Sequence, residues 1–402
     1  MRRRLIAPQT RLRIAAAAAI IGVAPAIARA GDAPPPPLWT LEARDTAEVW
    51  RNLQGGLSVG DATLNKLQAS LRFQGDAIGW RGFSAYAQVF KTNSESLSLA
   101  RTGDTQTASN IEAPHVERLF EFWAAQAFGD EDAVGWVSLR AGLIDLNRTF
   151  DSISTAGLFL NSSHGIGPDL SHSGLLDPSI FPVSALAAQV DWRPVSKLTI
   201  HLGAFANPDP SRAHNFADLR LSSRNGAIVI GQADYDLGQD AQASIGVWRY
   251  TANLPSFADP TQRLQPRPGA YAFVQAPTSL PGAPSGWLRA GFADGRVQDV
   301  SGYLGGGLVW KGLLPGRKAD RFGLAVAQAR IGGAARAADG LPHAETSFEA
   351  SYSLKLGRYL HLQPDIQHIV HPAGAAGLRD ATAVALRVVA FARTPDPPGD
   401  DD

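Results

Sequence analysis

The chain has no cysteine and a single methionine in 402 residues. Without cysteine there is neither a disulfide scaffold nor a thiolate metal site. With one methionine there is no methionine-lined, adaptable binding surface. Charged residues make up only 18% of the chain, below the roughly 25% of an ordinary soluble domain, which excludes a coiled coil. Lys+Arg and Asp+Glu are both 37, so the basic excess of a nucleic-acid binder is missing and no nucleic-acid partner is expected. No Walker or dinucleotide fingerprint occurs, and no cofactor or metal is expected. Past residue 30, no window approaches the roughly 18 apolar residues of a spanning helix. The 45% hydrophobic content excludes a disordered chain.

The charge balance hides an asymmetry. Residues 1–30 hold Arg2, Arg3, Arg4, Arg11, Arg13 and Arg29 and no acid. An apolar run over 14–27 follows, broken by Pro25, and the segment closes on Ala28-Arg29-Ala30. A basic start, a short apolar core and an A-x-A end read as a cleaved secretory signal. Its removal takes away six positive charges and leaves the mature chain at −6. Residues 31–50, with prolines at 34–37, read as a stiff leader and a short N-terminal segment. Residues 51–391 read as the main domain. Residues 392–402, rich in Pro and Asp, read as a disordered acidic tail.

The main domain repeats a period rather than a motif. Leu67, Ala69, Leu71 and Phe73 alternate with Gln68, Ser70, Arg72 and Gln74. Thr346, Phe348, Ala350, Tyr352 and Leu354 alternate with Glu345, Ser347, Glu349, Ser351 and Ser353. Similar runs recur down the chain, separated by turn residues such as Asn207-Pro208-Asp209-Pro210, Pro315-Gly316 and Gly332-Gly333. They read as strands with one apolar and one polar face, so the fold class is all-β. A soluble sandwich points the apolar face inward; a transmembrane antiparallel β-barrel points it out to lipid. Export, and Arg, Glu and Asp at mid-strand on the polar faces, favour the barrel. So do Trp80, Trp136, Trp248 and Trp310 near strand ends, where aromatic girdles sit.

Between the strands stand words that resemble one family. Asn52-Leu-Gln-Gly-Gly56 comes first, then Gly79-Trp80-Arg81-Gly82. Ser109-Asn-Ile-Glu112, Arg118-Leu-Phe-Glu121, Trp123 and Gln126 follow. Arg140-Ala-Gly-Leu-Ile-Asp-Leu-Asn147 precedes Phe150, Phe159-Leu-Asn-Ser-Ser163 and Phe181-Pro-Val-Ser184. Later come Gly246-Val-Trp248, Gly306-Gly-Leu308, Pro315-Gly-Arg317 with Asp320, Glu345-Thr346, Gln363-Pro364-Asp365-x-Gln367 and His371-Pro372. In this order they resemble the carbohydrate-selective porins of Gram-negative outer membranes, the OprB type, from about Asn52 to Phe391. The resemblance implies sixteen strands, a cell outer membrane location, and diffusion of small sugars through each pore unit. It implies outer-membrane lipid and the outer-membrane assembly machinery as partners, with a monomer or a trimer as the assembly. The chain departs from the pattern at its end: an outer-membrane strand commonly closes on an aromatic, whereas Phe391 is followed by eleven more residues.

Diffusion needs no chemistry, only polar groups for hydroxyls, a constriction, and flat apolar faces for sugar rings. Parity supplies the candidates. Phe120, Phe122 and Phe128 are expected on the lipid face, which turns Glu121 and Trp123 inward. Val137, Leu139, Ala141 and Leu143 do the same for Arg140. By the same count Arg72, Glu345, Glu349, Asp365, Gln367 and Arg387 line the lumen. Opposite charges there set up a transverse field and a fork of donors and acceptors. Each charge either contacts sugar or braces the wall as an internal ion pair, and parity leaves both open.

Two other readings come from different classes. Gly56-Leu57-Ser58-Val59-Gly60 matches the G-x-S-x-G pattern of hydrolases, which would make an outer-membrane or periplasmic enzyme acting on lipid or glycan; that motif needs a strand-to-helix elbow. A plugged barrel that binds rather than transports is the other. His361, His368 and His371 read as surface residues, since Pro364 and Pro372 exclude the helix that would group them.

Overall fold

The computed structural model describes residues 37–209, 214–222 and 224–395. The expected signal at 1–30 lies outside the described residues. Among the described residues sixteen strands close into one antiparallel barrel. They are β1 (Trp39–Gly56), β2 (Gly60–Gln74), β3 (Phe83–Thr92), β4 (Val116–Phe128), β5 (Val137–Ile144), β6 (Ala185–Val195), β7 (Leu198–Ala206), β8 (Ala227–Gly238) and β9 (Ala241–Tyr250). After a small ribbon of β10 (Leu254–Pro255) and β11 (Arg263–Leu264) come β12 (Gly269–Pro277), β13 (Ser285–Phe292), β14 (Val300–Lys311), β15 (Arg321–Ile331), β16 (Ala344–Lys355), β17 (Leu360–Val370) and β18 (Arg379–Thr394). Three short helices, α1 (Ser162–Gly165), α2 (Pro168–Ser171) and α3 (Gly333–Asp339), lie in connections.

Closure is made by β1 against β18, in register from Leu41↔Thr394 to Asn52↔Ala383. With no edge left, every backbone group of the wall finds a partner, which hydrocarbon demands. The outward rows are apolar and exposed: Leu67, Leu71, Val89, Leu139, Leu202, Val247, Leu288, Leu304, Phe348 and Leu386. The inward rows bury charge instead, including Glu48, Glu121, Arg289, Glu345, Glu349, Asp365 and Arg387. This is the reverse of a soluble core and the arrangement of a membrane barrel.

The two rims differ. One holds the short turns, such as 196–197 and 239–240, together with both described chain ends. The other holds the long connections 93–115, 145–184, 207–226 and 251–268. In outer-membrane barrels the short turns are periplasmic and the long loops extracellular.

Four expectations change. The barrel begins at Trp39, inside the segment read as a leader, and ends at Thr394, inside the segment read as a tail. The outward row of β1 reads Leu41, Ala43, Asp45, Ala47 and Val49, and its acid and small residues conceal the alternation. Phe391 therefore lies within the last strand, three residues before its end, with the Arg44 guanidinium 5.6 Å from its ring. Phe120 is buried, because a bulge in β4 pairs Gln88 with Glu121 and Val89 with Leu119. The extra residue turns Phe120 inward onto Phe90 and Phe181. Trp248 is also inside, 6.0 Å from Tyr271. Trp80, Trp136 and Trp310 do lie at the short-turn rim.

The lumen is not uniformly polar. Phe205, Ile228, Ile230, Trp248, Tyr271 and Phe273 point into it and form one cluster with Phe150, Leu158 and Phe159 of the connection 145–184. That connection folds into the barrel, and its apolar side covers the apolar part of the wall.

Candidate functional site

Wall side chains pin the inserted connections. Glu345 accepts the backbone N–H groups of Thr105 at 2.8 Å, Gln106 at 2.9 Å and Ala373 at 2.7 Å. Glu349 accepts from Leu160 and Asn161 in the same way. Gln363 Nε2 donates to the Leu158 carbonyl at 2.6 Å, and Gln367 Nε2 to that of Ala108 at 2.8 Å. Asp365 sits between them, accepting from Gln367 at 3.3 Å. Deepest is Arg289 of β13, whose Nε and Nη2 grip Asp151 at 3.1 and 2.7 Å while Nη1 grips Asp169. All three side chains are essentially inaccessible. A Cβ at Gly167 would come within 2.5 Å of the Arg289 guanidinium, so only glycine lets the loop approach this closely.

These contacts hold the inserted connections against β13, β16 and β17 and leave a passage along β18 and β1–β8. Two cavities mark it. The first, about 1140 Å³, opens toward the short-turn rim and is lined by Arg72, Trp123, Arg140, Arg148, Asp191 and His201, among others. The second, about 490 Å³, is lined by Arg44, Lys66, Arg387, Glu112, Asp145 and Asn147, among others. A single 3₁₀ turn, Leu146–Arg148, stands between them: Asp145 and Asn147 face one cavity and Arg148 the other.

At this throat an aromatic pair carries three guanidinium groups. Tyr86 and Trp123 stack with centroids 5.4 Å apart. Arg72 lies 5.4 Å and Arg148 4.6 Å from the Tyr86 ring, and Arg140 lies 4.6 Å from the Trp123 ring. Glu121 balances the charge by accepting Arg148 Nε at 2.8 Å and Trp123 Nε1 at 3.1 Å. Arg140 Nε and Nη1 have no hydrogen-bond acceptor. The indole face takes that role, as a cation–π contact. Asp145 is pushed up to about 7 by burial and then by the charge of Glu121.

The nine sequence candidates thus divide. Arg72, Trp123 and Arg140 meet at the throat, with Glu121 beside them holding Arg148. Glu345, Glu349, Asp365 and Gln367 fasten loops. Arg387 does both: it lines the second cavity and binds Glu48 at 2.5 Å and Asn110 at 2.6 Å. Sequence reasoning missed Tyr86, whose inward parity on β3 was available. It also missed Arg148, Asp145, Asp151 and Asp169, which lie in a connection with no period to read. The candidate serine fails as a nucleophile. Ser58 sits in the turn 57–59, followed by a strand rather than a helix, and its hydroxyl donates to the Ala100 carbonyl at 2.7 Å.

The family model described as carbohydrate-selective porin, OprB family, matches residues 59–390. Among solved structures, the high-pH structure of Pseudomonas putida OprB is similar with TM-score 0.78 and 18% identity, over 88% of this chain and 94% of that one. The low-pH structure of the same protein gives TM-score 0.54 and 14% identity, over 88% and 92%. A mutant of the Rh. blastica porin gives 0.53 and 9%, over 88% and 100%. No curated protein sequence matches the chain. At these identities the structural likenesses speak to the fold.

Proposed function

Because the chain belongs to the carbohydrate-selective porin family and is an outer-membrane carbohydrate channel rather than an enzyme, we propose that it passes neutral, monosaccharide-sized sugars and discriminates at the Tyr86–Trp123 throat. The supporting observation is the aromatic pair flanked by Arg72, Arg140 and Arg148 on the wall of the first cavity, beside the 3₁₀ turn that stands between it and the second. The aromatic pair holds the guanidinium groups against it, and their free forks donate to sugar hydroxyls. A neutral sugar exchanges water for these groups as it passes. An ion must also cross a field set by Arg44, Lys66, Arg72 and Arg387 on one side and Glu121 and Asp145 on the other.

Residues 1–30 act as the export signal and are absent from the mature chain. The barrel inserts through the outer-membrane assembly machinery, with lipid around it. Each chain is a complete pore unit, as a monomer or within a trimer, because its throat is built from one chain. Liposome swelling tests the reading. Neutral monosaccharides should enter faster than ions of similar size, and Trp123→Ala should reduce that advantage. Equal sugar flux in parent and variant overturns the throat assignment.

A further inference from the structure

The lipid-facing wall carries a furrow of about 840 Å³ across β6–β9. Register explains it. Ala188 lies beside Ala204, and Gly231 lies between Leu202 and Val247. All three small residues stand on outward rows, where Val190, Leu202, Val229 and Val247 rise beside them. The floor is unfilled: a Cβ at Gly231 would meet only the Leu202 Cδ2 at 3.2 Å and the His201 carbonyl at 3.8 Å.

The furrow climbs to the long-loop rim, where Arg249, Thr251, Gln265 and Pro268 border it. From Val247 to Thr251 the strand direction covers about 14 Å. Arg249 is exposed on the outer face and has no ion-pair or hydrogen-bond partner among the described residues. Two other outward cations near that rim are neutralised, Arg51 by Asp61 at 3.0 Å and Lys91 by Glu117 at 2.6 Å, while Arg330 of β15, also exposed there, does not border the furrow.

We propose that this furrow binds one anionic lipid of the outward leaflet, with an acyl chain along Ala204 and Gly231 and a head-group phosphate on Arg249. Small residues let a chain pack against the wall, and an unpaired cation at the interface attracts an anionic head group. A second copy of the chain fits less well. Two-fold pairing of this face would bring together two unpaired arginines, and no acid lines the furrow to receive them.

The test is native mass spectrometry of the full chain in detergent, offered phosphatidylglycerol or phosphatidylcholine with identical chains. The parent should retain phosphatidylglycerol about fivefold more, the factor one interfacial cation contributes. Arg249→Gln should erase that preference. Gly231→Leu should lose both lipids while keeping the heat-modifiable migration of a folded barrel. Preference surviving in Arg249→Gln, or parental retention in Gly231→Leu, overturns the site. So does a dimer that Gly231→Leu splits without lipid having been retained, which would make the furrow a contact between copies.

Discussion

Arg148, carried on the inserted loop, donates through Nε to Glu121 of β4 at 2.8 Å, so one ion pair joins the loop to the wall at the throat. Only 1% of the Glu121 side-chain surface is exposed, against 28% for Arg148. The pair therefore positions the Arg148 guanidinium beside Tyr86 as well as fastening the loop.

Glu121→Ala should release Arg148 and shift the pore toward anions. The cost to loop anchoring should be about 2 kcal/mol, below the usual figure for breaking a buried pair because Arg148 is partly solvated. Reversal potentials in a salt gradient should move toward the anion limit, and unchanged selectivity would show that Arg148 has another counter-charge.

Arg140→Ala should act differently. Arg140 fastens no loop and has two guanidinium nitrogens without acceptors, so barrel stability should hold. Sugar flux should fall about tenfold or more, in line with the roughly 1.5 kcal/mol at the low end for a lost hydrogen bond to a charged group. If flux and ion selectivity both match the parent, Arg140 only covers the Trp123 indole.

Arg289→Met should be the most damaging single change in the lumen. It leaves Asp151 and Asp169 buried and unpaired, which costs about 3–5 kcal/mol. The loop 145–184 should detach, raising single-channel conductance and making the loop sensitive to protease. A parental conductance with protease resistance would mean the apolar cluster around Phe150 and Phe159 holds the loop unaided.

Two pH effects have opposite signs. Asp145 is held up at about 7 by burial and by Glu121, so it is neutral below that pH and charged above it. Cation preference should therefore rise between pH 6 and 8. Asp145→Asn should flatten the rise in part, since Glu112 at about 7 and Asp177 at about 6 line the same cavity. A slope unchanged by Asp145→Asn would assign it to those two.

The second effect concerns His172, 3.2 Å from Asp299 at the start of the β14 wall. Burial works against its charge, but Asp299, with Asp177 and Glu345 behind it, holds its pKa up to about 9. A raised folded pKa stabilises the loop fully below about 6.5 and loses that contribution as pH rises through about 9. Loop fluctuations in single-channel records should increase over that interval, and His172→Gln should make them independent of pH there.

Alternation in the sequence determined the strands and placed Arg72, Glu121, Trp123, Arg140, Glu345, Glu349, Asp365, Gln367 and Arg387 on their polar faces, because a strand repeats every two residues; the expected export signal and the charges at mid-strand turned those faces toward a lumen. The family words of the same sequence carried the carbohydrate reading. Tertiary structure alone decided which inward charges fasten loops and which face the passage. Glu345 and Arg140 have the same parity, yet Glu345 meets backbone N–H groups and Arg140 meets an indole. That difference comes from where the connections 93–115, 145–184 and 371–378 fold, and the fold of 145–184 depends on its own Gly167 and on Arg289 and an inward apolar wall far away in the chain. The bulge that turns Phe120 inward is likewise a property of how β3 pairs with β4, which no single strand records.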